Sequence, residues 1–109
     1  MHRILTEADI ESLLAAPLAV LYKHSPICAT SGVAQDEIAE LRRQRDVPIY
    51  VVDVVRQRPL SRILAERTGV AHESPQAIVL RGGVTLWHRS HYDIQADAIA
   101  RALDQATTG

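Results

Sequence analysis

The sequence predicts an α/β fold in which a leading helix is followed by elements in the order β-α-β-α-β-β-α, with a mixed four-stranded sheet. Short apolar runs alternate with segments of helical period, a pattern that calls for parallel strands joined by right-handed crossovers. Two further apolar runs are separated by a tight turn and predict a hairpin. Because no linker or repeat interrupts the 109 residues, we expect a single domain over 1–109.

The first part of the chain predicts a helix over 6–16 and a strand over 18–22. Thr6 is a suitable N-cap, acids follow it, and Pro17 ends the helical pattern. The strand is a continuous apolar run, which is typical of a strand buried on both faces. The inward face of the helix is formed by Ile10, Leu13 and Leu14.

The middle of the chain predicts a long helix over about 29–45, a strand over 48–54 and a helix over 58–69. In the long helix acids precede bases, which matches the helix dipole. In the next helix Pro59 lies at the start and Gly69 just past the end, the usual places for these residues. The apolar stripe of the long helix consists of Ala34, Ile38 and Leu41.

The last part predicts a hairpin of 76–80 and 84–88 about the turn Arg81-Gly82-Gly83. We then expect Asp93 to cap a final amphipathic helix. Its inward residues are predicted to be Ile99, Ala102 and Leu103.

The composition excludes several classes of function. The net charge of −1 offers no electrostatic footprint for nucleic acid or an anionic membrane, so neither is predicted as a partner. The N-terminal segment lacks the pattern of a signal peptide, and a single cysteine requires no oxidising compartment, so we expect a cytoplasmic protein. The five histidines lack zinc-site spacing, and neither a metal nor another cofactor is predicted.

The only cysteine, Cys28, falls between the first predicted strand and the long helix. Ligands of open α/β sheets bind at that edge, and the unpaired N–H groups of a helix start favour a thiolate. Ser31 is placed to donate its hydroxyl to the sulfur, and it cannot form an internal disulfide as a second cysteine could. A free cysteine also packs as a small hydrophobe, and the residues alone leave both interpretations open.

Two further features lie near the same edge. Ser74 and Pro75 precede a strand and are candidates for a cis-proline turn. Arg56, Arg58 and Arg62 flank a helix start, where they form either a solvated face or an anion site.

Four segments in order resemble the YtxJ-like monothiol bacilliredoxin family of the bacillithiol system. They are KHSPICATS (23–31), RPLS (58–61), VAHESPQ (70–76) and WHRSHYDI (87–94). The resemblance extends from about Ile10 to Leu103 and implies a thioredoxin-like three-layer sandwich.

The resemblance also implies a function and a set of site residues. Cys28 would be the nucleophile that removes bacillithiol from S-bacillithiolated client proteins, with Pro75 as the cis-proline facing it. Ser74 would offer backbone hydrogen bonds to the bound partner, and His24 is a further candidate for substrate binding. We expect Arg58 to bind the malate carboxylates of bacillithiol, since it stands at a predicted helix N-terminus. A regenerating thiol or reductase must then restore Cys28.

The chain departs from the family at one position, because Ala29 replaces the proline that usually follows the cysteine. The substitution restores one N–H group near the sulfur and removes a rigid helix start. Two alternatives to exchange chemistry stay open at the level of sequence. One is a non-catalytic thioredoxin-like module that binds a protein partner, and the other is a module that binds an iron–sulfur cluster.

Overall fold

A computed structural model describes residues 1–108. It contains a five-stranded sheet in the order β1-β3-β2-β4-β5 and four α-helices. β1 and β2 pair in parallel with β3, whereas β4 is antiparallel to both β2 and β5. The elements are β1 (His2–Arg3), α1 (Glu7–Ala15), β2 (Ala19–His24), α2 (Ser31–Gln44), β3 (Ile49–Asp53), α3 (Arg58–Thr68), β4 (Gln76–Arg81), β5 (Val84–Ser90), a 3₁₀ turn (His91–Asp93) and α4 (Ala96–Thr108).

The helices cover both faces of the sheet, and the predicted three-layer sandwich is therefore confirmed. One apolar cluster joins α1 and α3 to the sheet through buried residues such as Ile10 and Leu64. The other joins α2 and α4 to the opposite face through Ile38 and Leu103. Because successive side chains of a strand point to opposite faces of the sheet, each central strand contributes residues to both clusters.

The prediction of four strands is wrong by one, because β1 forms an additional edge strand. His2 and Arg3 pair with Tyr50 and Val51 of β3, and the His2 ring stacks on that of Tyr50 at a centroid distance of 4.8 Å. Both β1 residues are exposed and form no apolar run, so the sequence carries no strand pattern there.

Several predicted boundaries also change. β2 continues to His24 rather than ending at 22, because Lys23 is buried in the sheet instead of being solvated. The final helix begins at Ala96, so Asp93 lies in the preceding 3₁₀ turn and does not cap it. The Ala96 N–H is paired instead with the Glu37 carboxylate of α2 at 2.8 Å.

The predicted ends of α3 are confirmed. Pro59 lies in the first turn, and Gly69 takes the left-handed conformation (φ 71°) directly after the helix. The hairpin turn is also confirmed, with positive φ at both Gly82 and Gly83. α2 begins at Ser31, two residues later than predicted, because Ala29 and Thr30 form a turn.

Candidate active site

Cys28 lies in the loop between β2 and α2, at the carboxyl end of the parallel strands. Its N–H donates to the Ser25 carbonyl at 3.2 Å, and its own carbonyl accepts from the Ser31 N–H at 3.1 Å. Two successive turns therefore bring the cysteine to the start of α2. The Cys28 side chain is partly buried, while the neighbouring Ile27 is 81% exposed. The sulfur thus lies at the surface beside an apolar side chain.

The hydroxyl that contacts the sulfur belongs to Thr30, at 3.1 Å from Sγ. This hydroxyl is the main cause of a lowered pKa of Cys28, and the N–H groups of Thr30 and Ser31 act in the same direction against partial desolvation. Each of these groups donates to a thiolate and so stabilises the charged form. The arrangement favours the nucleophilic form of the cysteine.

The predicted donation from the Ser31 hydroxyl is wrong. Ser31 is 3% exposed, and its Oγ is buried and has no hydrogen-bond partner among residues 1–108. Its backbone N–H is the part that acts on the sulfur. The Thr30 contribution was missed because the choice between the two hydroxyls depends on the backbone conformation at Thr30, which the residue types do not reveal.

His24 ends β2 and contacts the buried Tyr22. The His24 Nδ1 lies 2.9 Å from Tyr22 Oη, which in turn lies 3.4 Å from the Ser31 carbonyl oxygen. Burial raises the pKa of Tyr22 to about 12, so this hydroxyl keeps its proton at neutral pH. Both residues line a cavity of about 540 Å³ together with Asp53 and Arg56. The sequence indicates Tyr22 only as part of an apolar strand, because its hydrogen bonds depend on the folded positions of His24 and Ser31.

The Ser74–Pro75 peptide bond is cis, as predicted. Pro75 is buried, and its carbonyl accepts from the His91 N–H at 3.0 Å, which ties this loop to the 3₁₀ turn. Ser74 directly precedes the buried β4 and is partly exposed. Residues 71–75 form the cis-proline loop.

A cavity of about 580 Å³ brings the cis-proline loop together with the cysteine loop and α3. Ser74 and Arg58 both line it, whereas His24 belongs to the other cavity. Neither Arg58 nor Arg62 forms an ion pair within residues 1–108, while Arg56 lies 3.8 Å from Asp53. The lining residues are Ser25, Ile27, Val54, Val55, Arg58, Ser61, Arg62, Ala65, Glu66, His72 and Ser74.

A buried polar pair, Lys23 and Gln76, is hydrogen-bonded to the cis-proline loop. Lys23 of β2 is 1% exposed, and its Nζ donates to Gln76 Oε1 at 2.9 Å. Gln76 is fully buried, and its Nε2 donates to the Ala71 carbonyl at 3.2 Å. Sequence reasoning missed this pair because a lysine is normally taken as solvated.

Residues 1–108 contain no group of three or more His, Cys, Asp or Glu side chains placed to hold a metal ion. None of the helices in that range is long and apolar enough to cross a bilayer.

The fold and the site define a class: a thioredoxin-fold protein with one cysteine at the start of a helix and a cis-proline in a neighbouring loop. Solved structures of low identity share this fold. A thioredoxin from Trypanosoma brucei brucei is 12% identical at a TM-score of 0.80, covering 98% of this chain and 90% of that one. The thioredoxin of Fasciola hepatica is 16% identical at a TM-score of 0.75, covering 97% of this chain and 99% of that one.

Closer comparisons identify the family. The family model for the monothiol bacilliredoxin BrxC matches residues 2–99. A solved thioredoxin-fold protein, for which an oxidoreductase activity has been suggested, is 31% identical at a TM-score of 0.86, covering 93% of this chain and 91% of that one. The chain therefore belongs to the monothiol bacilliredoxin family, and the resemblance drawn from the four segments is confirmed.

Proposed function

We propose that this protein removes bacillithiol from S-bacillithiolated client proteins by thiol–disulfide exchange at Cys28. Family membership supports thiol–disulfide exchange as the chemistry. The observation that carries the proposal at this site is the Thr30 hydroxyl at 3.1 Å from Sγ, because it favours the thiolate that attacks disulfides.

The proposed exchange proceeds through two displacements. In the first, the Cys28 thiolate attacks the bacillithiol sulfur of the client's mixed disulfide. A new S–S bond joins Cys28 to bacillithiol, and the client cysteine leaves as a thiolate that takes a proton from water. In the second, an external thiolate attacks the bacillithiol sulfur on Cys28, takes over the bacillithiol in a new mixed disulfide and releases Cys28. The external thiol or reductase is required because the chain has no second cysteine.

The cavity beside the cysteine loop is the proposed site for the bacillithiol moiety. Ser74 is proposed to offer its backbone groups to the partner disulfide across from Cys28, with Pro75 shaping the loop. Arg58 is proposed to bind the malate carboxylates, since it lines this cavity without an acidic partner in residues 1–108. His24 lies in the second cavity, so any contact between His24 and substrate is proposed to come from that side of the loop.

The remaining partners follow from the chemistry. They are bacillithiolated client proteins, free bacillithiol and the thiol or reductase that restores Cys28. We place the reaction in the cytoplasm, the reducing compartment in which a lone reactive thiol persists. We also propose that residues 1–109 act as one domain. Gly109 itself lies outside the described residues.

Intact mass spectrometry tests the proposal directly. Reduced protein is mixed with a bacillithiolated model protein, and the Cys28→Ser variant and a glutathionylated substrate are run in parallel. We expect the wild type to gain the mass of bacillithiol while the client is released, and Cys28→Ser to gain nothing. Transfer from the glutathione adduct alone would keep the mechanism and reject the substrate. No transfer from either would favour a non-catalytic module.

The proposed role of Arg58 has its own test. Arg58→Ala should slow transfer from bacillithiol disulfides more than transfer from cystine, because only the former loses a carboxylate contact. Arg101→Ala is the matched control, since Arg101 is exposed on α4 and lines neither cavity. Equal losses on both substrates would reject the role.

A further inference from the structure

Lys23 is a buried lysine whose charge interacts with that of Glu73 in the cis-proline loop without forming an ion pair, and burial lowers its pKa to about 8. It lies between Val52 of β3 and Gln76 of β4, and it is 1% exposed. Among residues 1–108 its ammonium forms no ion pair, and its hydrogen bond goes to the neutral Gln76 amide at 2.9 Å. A buried ion is costly, and an apolar side chain of similar volume is often neutral or stabilising in its place. Fold stability alone therefore does not explain Lys23.

The charge of Lys23 determines how the Gln76 amide is oriented. An ammonium group only donates hydrogen bonds, so Gln76 must present its Oε1 to Lys23. The Nε2 then points the other way and donates to the Ala71 carbonyl at 3.2 Å. The cation thus sets the direction of the whole chain of hydrogen bonds from β2 to the cis-proline loop.

This chain of hydrogen bonds closes the base of the cis-proline loop. Gln76 is the first residue of β4, and Ala71 is at the other end of the loop, so the bond between them ties the two ends together. Ser74 and Pro75 lie between these ends. Lys23 also stands two residues before Ser25, whose carbonyl holds the Cys28 N–H. One side chain therefore connects β2, which carries the cysteine loop, to the loop across from it.

We propose that Lys23 is a positioning residue that, through Gln76, holds the cis-proline loop in the geometry that receives the substrate disulfide. The inference rests on the proposed function for its substrate. It assigns no part in the chemistry to Lys23, so the reactivity of Cys28 should not depend on it. The cost of burying the cation is then explained by the ordering of a substrate-binding loop.

Lys23→Met is the first test, because methionine keeps an unbranched apolar stem and removes the charge. We expect KM for the mixed disulfide to rise about tenfold with kcat little changed, since the loss falls on substrate positioning. Alkylation of Cys28 by iodoacetamide should stay within about twofold of the wild type. Backbone amides of 72–76 should exchange with deuterium about tenfold faster, while the rest of the sheet is unchanged.

Gln76→Glu is the second variant. It distinguishes an effect of the hydrogen bonds from Lys23 through Gln76 to Ala71 from an effect of burying a charge. A glutamate accepts from Lys23 but has no N–H for the Ala71 carbonyl, so the loop should loosen although Lys23 gains an ion pair. Tyr50→Phe is the matched control: it removes a hydroxyl of a buried side chain, hydrogen-bonded to Ser12 Oγ at 3.0 Å between β3 and α1. This control should change neither KM nor exchange in 72–76.

The outcomes separate this inference from the proposed function. If the wild type transfers no small thiol, the function fails, and the exchange measurement still decides the role of Lys23. Unchanged exchange in 72–76 in both variants would overturn the positioning role. A fall in Cys28 alkylation that matches the loss of transfer would overturn it too, since Lys23 would then act on the thiol. If Lys23→Met does not fold, Gln76→Glu carries the test.

Discussion

The first turns of α1 and α2 begin alike in sequence and differ in what they do. Each helix follows a threonine, with Thr6 before α1 and Thr30 before α2. Thr6 has an extended backbone, and its Oγ1 accepts from the Asp9 N–H at 3.4 Å. Thr30 already has a helical backbone (φ −78°, ψ −11°), forms no side-chain cap, and turns its hydroxyl to Cys28 Sγ.

The first turns of α1 and α2 also differ in charge, because only α1 carries acidic residues there. α1 carries Glu7 and Asp9 there, and the Asp9 carboxylate accepts from the N–H groups of Leu5 and Thr6 at 2.8 and 3.0 Å. The first turn of α2 has no acid, and Val33 stands where α1 has Asp9. The positive end of α2 is thus left for the thiolate. One helix start serves stability, and the other gives up a cap for thiol chemistry.

The largest effect is expected from Thr30→Val, which removes the hydroxyl and keeps the shape. The pKa of Cys28 should rise, and alkylation by iodoacetamide at pH 7 should fall by about tenfold. Thr30→Ser keeps the hydroxyl and should retain most of the rate. If the valine and serine variants react at equal rates, the hydroxyl at 3.1 Å does not tune the sulfur.

Thr6→Ala should have the opposite effect to Thr30→Val: it should lower the stability of the fold and leave the reactivity of Cys28 unchanged. It removes the N-cap of α1 and should lower the free energy of unfolding by about 1 kcal/mol, measured by urea denaturation. Cys28 alkylation should be unchanged. Thr30→Ala is the matched control, because the same substitution removes no cap from α2 and should cost only a few tenths of that. Equal losses of stability would contradict the division of roles.

The fold was largely predictable because its signals are local. Pro59 and Gly69 bound α3 through their own backbone preferences, and the glycine turn of the hairpin needs positive φ at both positions. The buried β3 was visible as a run of apolar residues. β1 was not, since two exposed residues become a strand only by pairing with β3 across the chain.

The site was predictable only in part for a related reason. Cys28 and the cis bond before Pro75 followed from motifs. The hydroxyl beside the sulfur could not be predicted. Thr30 and Ser31 both carry one, and the backbone conformation decides which of the two points to Cys28. Lys23 was hidden as well, since its burial depends on Gln76, which is 53 residues away in sequence.

The third expected effect is a dependence of stability on pH that comes from Asp9. Backbone donation from Leu5, and then from Thr6, lowers the pKa of Asp9 below its ordinary value of 3.8. A lowered folded-state pKa means that the stabilisation is present above pH 3.8 and is lost as the pH falls through the folded-state pKa. Asp9→Asn should therefore be less stable than the wild type at pH 7, by less than Thr6→Ala. The gap should close in acid, and a gap independent of pH would reject the charge as its cause.

The smallest effect is expected when α2 is given the acid that α1 has. Val33→Asp places a carboxylate in the first turn of α2, where Val33 is 49% exposed. It should stabilise the helix by about 0.5 kcal/mol and slow Cys28 alkylation about twofold, because the new charge competes with the thiolate for the helix start. Val33→Asn is the neutral control, and about 1 M salt should remove most of the difference between the two variants. If the asparagine variant slows alkylation as much as the aspartate variant, the loss of valine rather than the added charge is responsible, and the missing acid of α2 has no bearing on its thiol.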